Sequence, residues 1–154
     1  TLVDSIEVGP QPSSLVLDRF GKLWTVTDGR TAGIPAALYR IDAATRRVEQ
    51  TYTFAAGDHP SSVTLNGTRD TLYFINRDVW RMRIDAEELP VTPFLPYTQT
   101  TYYEVAVDPL TSEVYVADAI DYVQHGVVYR FTARGAAVDT IRVGITPGSF
   151  CFKP

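Results

Sequence analysis

Three oxygen-bearing side chains close equivalent apolar runs in this 154-residue chain. Asp28, Asn76 and Asp118 each follow a short run rich in aliphatic and aromatic residues. A ring of carboxylate and amide oxygens could hold Ca²⁺ or the polar groups of a ligand. The alternative is that each side chain caps its own turn by accepting hydrogen bonds from nearby backbone amides. The sequence favours capping, and it leaves ligand binding open.

The two histidines could supply metal ligation or proton transfer. His59 precedes one apolar run, and His125 lies in a polar segment that ends at Gly126. A zinc site takes three or four His, Cys or carboxylate ligands, and two histidines without supporting spacing do not provide them. We therefore expect both to form surface hydrogen bonds or to contact a ligand, and we predict no metal, no cofactor and no catalytic residue.

A third group of residues is suited to stacking. Tyr102, Tyr103 and Tyr122 offer flat aromatic surfaces that fit a large planar ligand or a sugar. The polar arms that would accompany them are Arg30, Arg77, Asp121 and Gln124. The alternative, equally compatible with the sequence, is that these tyrosines pack within the protein. Neither a Gly-x-Ser-x-Gly elbow nor a phosphate-binding glycine loop is present in the sequence.

An internal repeat indicates the elements that position these residues. A recurring phrase aligns on Leu15, Val63, Val105 and Phe150, with spacings of 48, 42 and 45 residues. Each full repeat contains four short runs rich in β-branched and aromatic residues and bounded by turn residues. A period of this size is typical of a four-stranded propeller blade. The sequence therefore predicts an all-β fold, a β-propeller.

The repeat boundaries predict a partial ring. Blades are expected at residues 10–56, 57–97 and 98–143, with the fourth strand of the second blade at 91–95. Residues 2–9 match residues 137–144, so residues 1–9 are predicted as the outer strand of a preceding blade, and residues 144–154 as a closing inner strand. Three antiparallel blades with an orphan strand at each end do not close a ring of four to eight blades. We expect that missing blades or a second copy would close it.

The propeller geometry predicts where a ligand would bind. Loops that join fourth to first strands and second to third strands lie on one face, around the central channel. Two long insertions, at residues 28–35 and 118–126, fall on this face. Long loops on a rigid scaffold commonly carry binding residues. The site is therefore predicted at the channel face.

Composition narrows the class of protein. The hydrophobic fraction of 45% indicates a globular chain. A net charge of −4 with scattered basic residues argues against a nucleic-acid partner. The single cysteine, Cys151, excludes an internal disulfide, and its apolar surroundings predict a buried free thiol.

Four phrases resemble a known group of proteins. They are VAVDP at 105–109, EVYVADA at 113–119, DYVQHG at 121–126 and GITPGSFCF at 144–152. These resemble the C-terminal region of the YncE-like surface propellers of Bacteroidetes, which include the BtuG-type corrinoid-binding lipoproteins. The resemblance implies a seven-bladed ring, an upstream export signal and lipid anchor, and a place on the outer face of the outer membrane. It also implies capture of cobalamin or a related corrinoid beside an outer-membrane transporter.

The function expected from these features is ligand binding without catalysis on the channel face. A corrinoid is the most specific ligand, and a glycan-binding or protein-binding envelope scaffold is the first alternative. The second alternative is a propeller enzyme of the lactonase or dehydrogenase type with a metal on the axis. Asp28, Asn76 and Asp118 would then be its ligands.

Overall fold

The computed structural model describes residues 4–98 and 101–153 and contains eleven strands there. The first sheet, blade 1, has the order β1 (Pro12–Leu17), β2 (Lys22–Thr27), β3 (Ala37–Asp42) and β4 (Arg47–Thr53). Blade 2 has the order β5 (Ser61–Leu65), β6 (Thr71–Asn76) and β7 (Asp78–Arg83). Blade 3 has the order β8 (Tyr102–Val107), β9 (Val114–Asp118), β10 (Val127–Phe131) and β11 (Ala137–Arg142). All pairings are antiparallel, so the all-β architecture of consecutive blades is confirmed.

Successive strands pair through short turns with side-chain caps. In blade 1 the turn between β1 and β2 is held by Asp18, whose Oδ1 accepts hydrogen bonds from the amides of Phe20 at 2.8 Å and Lys22 at 2.9 Å. Gly21 in the same turn has a φ of +76°, a conformation that glycine adopts without a Cβ penalty. No helix long and apolar enough to span a membrane occurs in residues 4–98 or 101–153.

The first strands of the three blades lie side by side. β5 contacts β1 on one side and β8 on the other. Each of these inner strands carries a bulge near its start, between Ser13 and Val16 in β1, between Ser61 and Thr64 in β5, and at Tyr103 in β8. A bulge redirects the side chains beside it. The same end of all three inner strands is therefore shaped for contacts other than regular pairing.

Blade 2 is buried on both faces because it lies between its neighbours. Along β6, Leu72 and Phe74 pack into an apolar layer shared with blade 1. Tyr73 and Ile75 alternate with them and pack into a second layer shared with blade 3. This alternation explains the uninterrupted apolar run in β6, since a strand covered on both faces needs no polar side.

The fourth strand predicted at residues 91–95 is replaced by one isolated bridge. The amide of Val79 donates to the carbonyl of Leu95 at 3.0 Å, and the amide of Leu95 returns a bond of the same length. Pro90, Pro93 and Pro96 punctuate this segment. Proline has no amide hydrogen to donate to a ladder, so the segment packs against β7 without forming a strand.

The two chain ends form no strand within the described residues. Residues 4–9 and 144–153 carry no sheet pairing, and residues 1–3 and 154 lie outside the described residues. The apolar face of blade 1 beside residues 4–9 is open, and Leu15 is 63% exposed. At the other end, the ring of Phe152 packs on Tyr115 at 5.4 Å. The C-terminal segment thus covers the outward face of blade 3.

The prediction of a buried thiol is wrong. Cys151 is exposed. Its neighbours Phe150 and Phe152 turn towards Tyr115. The segment that carries Cys151 is not paired into a sheet that would cover it.

Candidate functional site

Three blades contribute to one cleft at the channel end of the sheets. The starts of the inner strands pair with the ends of the second strands, as Pro12 with Thr27, Ser61 with Ile75 and Tyr102 with Asp118. The loops before the first strands and after the second strands therefore meet there. The cleft has a volume of about 630 Å³. Its walls include six of the residues predicted from the sequence, namely Arg30, His59, Arg77, Tyr102, Tyr103 and Tyr122.

Tyr103 and Tyr122 form an aromatic corner in this cleft. Their ring centroids are 5.8 Å apart with an interplanar angle of 80°, an edge-to-face arrangement. Tyr103 is the bulged residue of β8, and Tyr122 has a φ of +65° in the loop that follows β9. The side chain of Tyr122 is 54% exposed. One ring is thus fixed on a strand, and the other projects from a loop and remains available for stacking.

Asp118 caps backbone behind the cleft. It is 2% exposed, and its Oδ1 accepts hydrogen bonds from the amides of Thr101 at 2.9 Å and Ile120 at 2.8 Å. Its Oδ2 accepts from the hydroxyl of Tyr129 at 3.2 Å. These contacts hold the start of the loop 119–126 against the segment that leads into β8. The carboxylate is fully used by the protein itself.

The side-chain oxygens of Asp28 and Asn76 also accept hydrogen bonds from backbone amides. Asp28 Oδ1 accepts from the amide of Arg30 at 3.0 Å, and Asn76 Oδ1 accepts from the amide of His59 at 3.3 Å. Asp28 and Asp118 thus accept from amides of their own turns, as the capping alternative describes. Asn76 instead accepts from an amide of the preceding loop, 17 residues away in the sequence. Among the described residues, no group of three or more His, Cys, Asp or Glu side chains could hold a metal ion.

The two histidines lie in different surroundings. His59 Nδ1 is 2.8 Å from the carbonyl oxygen of Asp28, and His125 Nδ1 is 2.9 Å from that of Val143. A carbonyl only accepts, so Nδ1 donates in both rings and Nε2 is left for other contacts. His59 lines the cleft, whereas His125 lies at a separate surface depression beside Arg142.

Asp121 and Gln124 shape the loop and do not line the cleft. Asp121 Oδ1 accepts from the amides of Gln124 at 2.9 Å and Val123 at 3.0 Å, and these bonds lower the pKa of Asp121. Gln124 Nε2 donates to Asp121 Oδ2 at 3.1 Å. Both side chains therefore stabilise the conformation from which Tyr122 projects.

Glu104 is a cleft residue that the sequence reasoning missed. Its carboxylate accepts a hydrogen bond from the hydroxyl of Ser62, whose oxygen accepts from the amide of Val105 at 3.1 Å. Burial raises the pKa of Glu104, while the bonds from Ser62 and the Val105 amide oppose that rise. The available signal was a departure from the repeat, since the aligned positions in the other two blades are Ser14 and Ser62.

We expect replacement of Glu104 by glutamine to stabilise the protein in a pH-dependent way. Because its pKa lies above the ordinary 4.5 in the folded state, the folded protein binds this proton more tightly than the unfolded chain. The stability that this carboxyl contributes is full below pH 4.5 and is lost as the pH rises through the raised value. E104Q should therefore match the parent at about pH 4 and be more stable at about pH 8.

Urea unfolding at several pH values measures this difference. Glu88→Gln is the matched control, because Glu88 is exposed and outside the cleft. A pH-independent difference, or a loss of stability in E104Q at about pH 8, would contradict the expected burial effect.

Comparisons with known proteins bear on the fold. No protein-family profile and no curated protein sequence matches this chain. Among solved structures, it is similar to a quinoprotein alcohol dehydrogenase-like protein from Bacteroides thetaiotaomicron, with 14% identity, a TM-score of 0.65, and coverage of 84% of this chain and 33% of that one. It is similar to Kuenenia stuttgartiensis hydrazine synthase, with 12% identity, a TM-score of 0.70 and coverage of 94% and 40%.

A third similar structure is the Dos1 propeller, with 13% identity, a TM-score of 0.68 and coverage of 96% of this chain and 39% of that one. The chain thus spans between 33% and 40% of the length of these three relatives. Structural similarity at identities this low shows the fold alone, so function has to be argued from the residues of the site. The chain has the fold of part of a β-propeller, with its cleft at the channel end of three consecutive blades.

Proposed function

We propose that this chain is part of a non-enzymatic propeller that captures a ligand in the channel-face cleft. The observation that carries the proposal is the convergence of binding groups from three blades. Tyr103 and Tyr122 supply aromatic surfaces, while His59 and Arg77 supply hydrogen-bonding groups. A concave site with flat apolar surfaces and a few convergent polar groups is typical of small-molecule binding.

The non-enzymatic part of the proposal rests on how the polar groups are used. The members of the predicted oxygen ring accept hydrogen bonds from within the protein, and Asp118 accepts two from backbone amides and one from the Tyr129 hydroxyl. Each histidine donates a hydrogen bond from Nδ1 to a backbone carbonyl. The two rings lie in separate places, His59 in the cleft and His125 in another surface depression. These groups support binding and orientation of a ligand.

A corrinoid is the first ligand to test, and a glycan is the second. The resemblance to the YncE-like surface propellers supports a corrinoid, a cell-surface location and a transporter partner. Both ligand classes present extended faces and peripheral polar groups, which suit an edge-to-face tyrosine pair flanked by hydrogen-bond donors. Proteins of the cell envelope are the third class of partner.

Titration calorimetry of the chain with cyanocobalamin, cobinamide and a panel of oligosaccharides tests the proposal. We expect one class to bind, and we expect Tyr103→Ala and Tyr122→Ala each to weaken binding about tenfold, since a lost aromatic contact costs about 1.4 kcal/mol. Val123→Ala is the matched control, because Val123 is exposed beside Tyr122 but does not line the cleft. Absence of binding, or unchanged binding in both tyrosine variants, would contradict the proposal.

A further inference from the structure

We propose that the cleft recognises an oxyanion on its ligand, a carboxylate or a phosphate ester, through the guanidinium of Arg77. This inference rests on the proposed function, in which the cleft is a ligand site, and adds the chemical group that the ligand must carry. Three features of Arg77 support it, namely its backbone conformation, the orientation of its guanidinium and its charge.

The backbone at Arg77 is held in a conformation that favours glycine or asparagine. Arg77 is the tip of the hairpin between β6 and β7, whose flanking residues Asn76 and Asp78 pair directly. Its φ is +59°, in the left-handed region. Such a conformation is unfavourable for a residue with a long side chain. It also occurs at Arg46 and Arg69, which do not line the cleft, so what it contributes at Arg77 is a side chain projecting from a tight hairpin tip.

The guanidinium of Arg77 is oriented by an aromatic ring. Its Cζ lies 4.5 Å from the ring centroid of Tyr97. Tyr97 is itself anchored, because its amide donates to Asp78 Oδ1 at 2.8 Å. A guanidinium stacked on a ring keeps its N–H donors in its own plane, and this planar fork matches carboxylate and phosphate oxygens.

The positive charge of Arg77 is not compensated by the part of the chain that the structure describes. Among residues 4–98 and 101–153, no carboxylate forms an ion pair with Arg77. The other arginine of the cleft differs, since Arg30 Nε lies 3.5 Å from Asp28 Oδ2. Glu104, the acid of the cleft, is bonded to Ser62. In a chain of net charge −4, an unpaired and oriented cation in a cleft is suited to an anionic ligand group.

Small aromatic probes test this inference directly. Benzoate and phenyl phosphate carry the two oxyanions on a flat ring, and benzyl alcohol is the neutral match. We expect both anions to shift the Arg77 Nε–Hε and cleft amide resonances saturably below about 50 mM, with benzyl alcohol at least tenfold weaker. The affinity of the anions should fall as salt is added, since the cleft is open to solvent. A larger response to one anion identifies which oxyanion the site prefers.

Substitutions of Arg77 separate this role from packing. Arg77→Gln should abolish the preference for anions, and Arg77→Lys should weaken binding about tenfold because an ammonium lacks the bidentate fork. Arg77→Asn should lose binding without lowering Tm, since asparagine tolerates this backbone. The matched control is Arg81→Gln. Arg81 also stacks on a ring, that of Phe94 at 4.5 Å, but it does not line the cleft.

Three binding results would overturn the inference. They are equal binding of neutral and anionic probes, retained anion binding in Arg77→Gln, and absence of probe binding. In the first two cases the cleft remains a ligand site, and in all three the calorimetric titrations decide the proposed function independently. A fall in Tm of more than about 4 °C in Arg77→Asn would show that the arginine is kept for stability.

Discussion

Replacing Trp24 with alanine is expected to lower the free energy of unfolding by about 3–5 kcal/mol, the range for removing a large aromatic side chain from a core. Trp24 is fully buried in the layer between blades 1 and 2, where its ring stacks on Tyr52 with centroids 5.9 Å apart. Its Nε1 donates to Asp18 Oδ2 at 2.9 Å. The substitution therefore removes packing and leaves a buried carboxylate oxygen without its donor.

Trp24→Phe separates these two effects. Phenylalanine keeps an aromatic ring but has no N–H, and a buried acceptor left unpaired costs about 1–3 kcal/mol. Adding Asp18→Asn to Trp24→Phe should not restore the loss. The asparagine oxygen can keep the bonds from the amides of Phe20 and Lys22, but its NH₂ group would then lie where the indole N–H stood and would have no acceptor there. Guanidinium unfolding followed by far-ultraviolet circular dichroism measures these differences. Phe20→Ala is the exposed aromatic control and should change stability by less than about 0.5 kcal/mol.

A stability close to the parent's in Trp24→Ala would contradict the arrangement of the core. It would mean that blade 1 and blade 2 are not joined through this layer. The blades would then be expected to unfold in separate steps. Two spectroscopic probes test this, because transitions that coincide indicate a single cooperative step.

Replacing Asp118 with alanine is expected to destabilise the fold and to weaken ligand binding together. The amides of Thr101 and Ile120 and the hydroxyl of Tyr129 would lose their common acceptor. Unpaired buried donors cost about 1–3 kcal/mol each when water does not reach them. We therefore expect a loss of about 2–4 kcal/mol, since some of these groups can move towards solvent.

The effect of Asp118→Ala on the cleft passes through the loop that carries Tyr122. Asp118 fixes residue 120 and residue 101, and Ala119 donates to the Thr101 carbonyl at 3.1 Å beside them. Hydrogen exchange at residues 119–126, measured without denaturant, should accelerate in Asp118→Ala. Exchange in β6 under the same conditions should change only as much as the global stability changes. Burial, and secondarily Asp118, raises the pKa of Tyr129, so that pKa should fall in the same variant.

Asp118→Asn is the matched control for this experiment. Its amide oxygen can still accept from both backbone amides, and its NH₂ group can donate to the Tyr129 oxygen. We expect it to retain most of the stability and the loop protection. If Asp118→Ala behaved like Asp118→Asn in both measurements, the capping role would be disproved and a ligand role for this carboxylate would return.

The sequence predicted the elements and the end of the propeller where the cleft lies. Strand positions follow from local features, namely short runs rich in β-branched and aromatic residues and the turn chemistry that bounds them, and these repeat three times along the chain. The second-to-third and fourth-to-first loops do meet at one end, and Arg30, His59 and Tyr122 come together there. The end at which these loops meet depends only on the order of strands within a blade.

The tertiary structure decided which side chains converge. Asp118 turns back to Thr101, and His125 binds the carbonyl of Val143 away from the cleft. Glu104 and Tyr97 enter the cleft because of the β8 bulge and the Asp78 contact. These orientations depend on hydrogen bonds between residues distant in sequence, which a pattern within one strand does not encode.

The same reason explains the two elements where pattern and structure differ. Residues 91–95 have the composition of a strand, but the prolines around Leu95 leave them one bridge. Cys151 lies in an apolar phrase and is exposed, because burial of a strand residue requires a neighbouring sheet over it. The sequence by itself thus determined the blades and the face on which they present loops. Only the packing of one blade on the next determined the contents of the cleft, because side-chain direction at bulges and loop tips is set by contacts between blades.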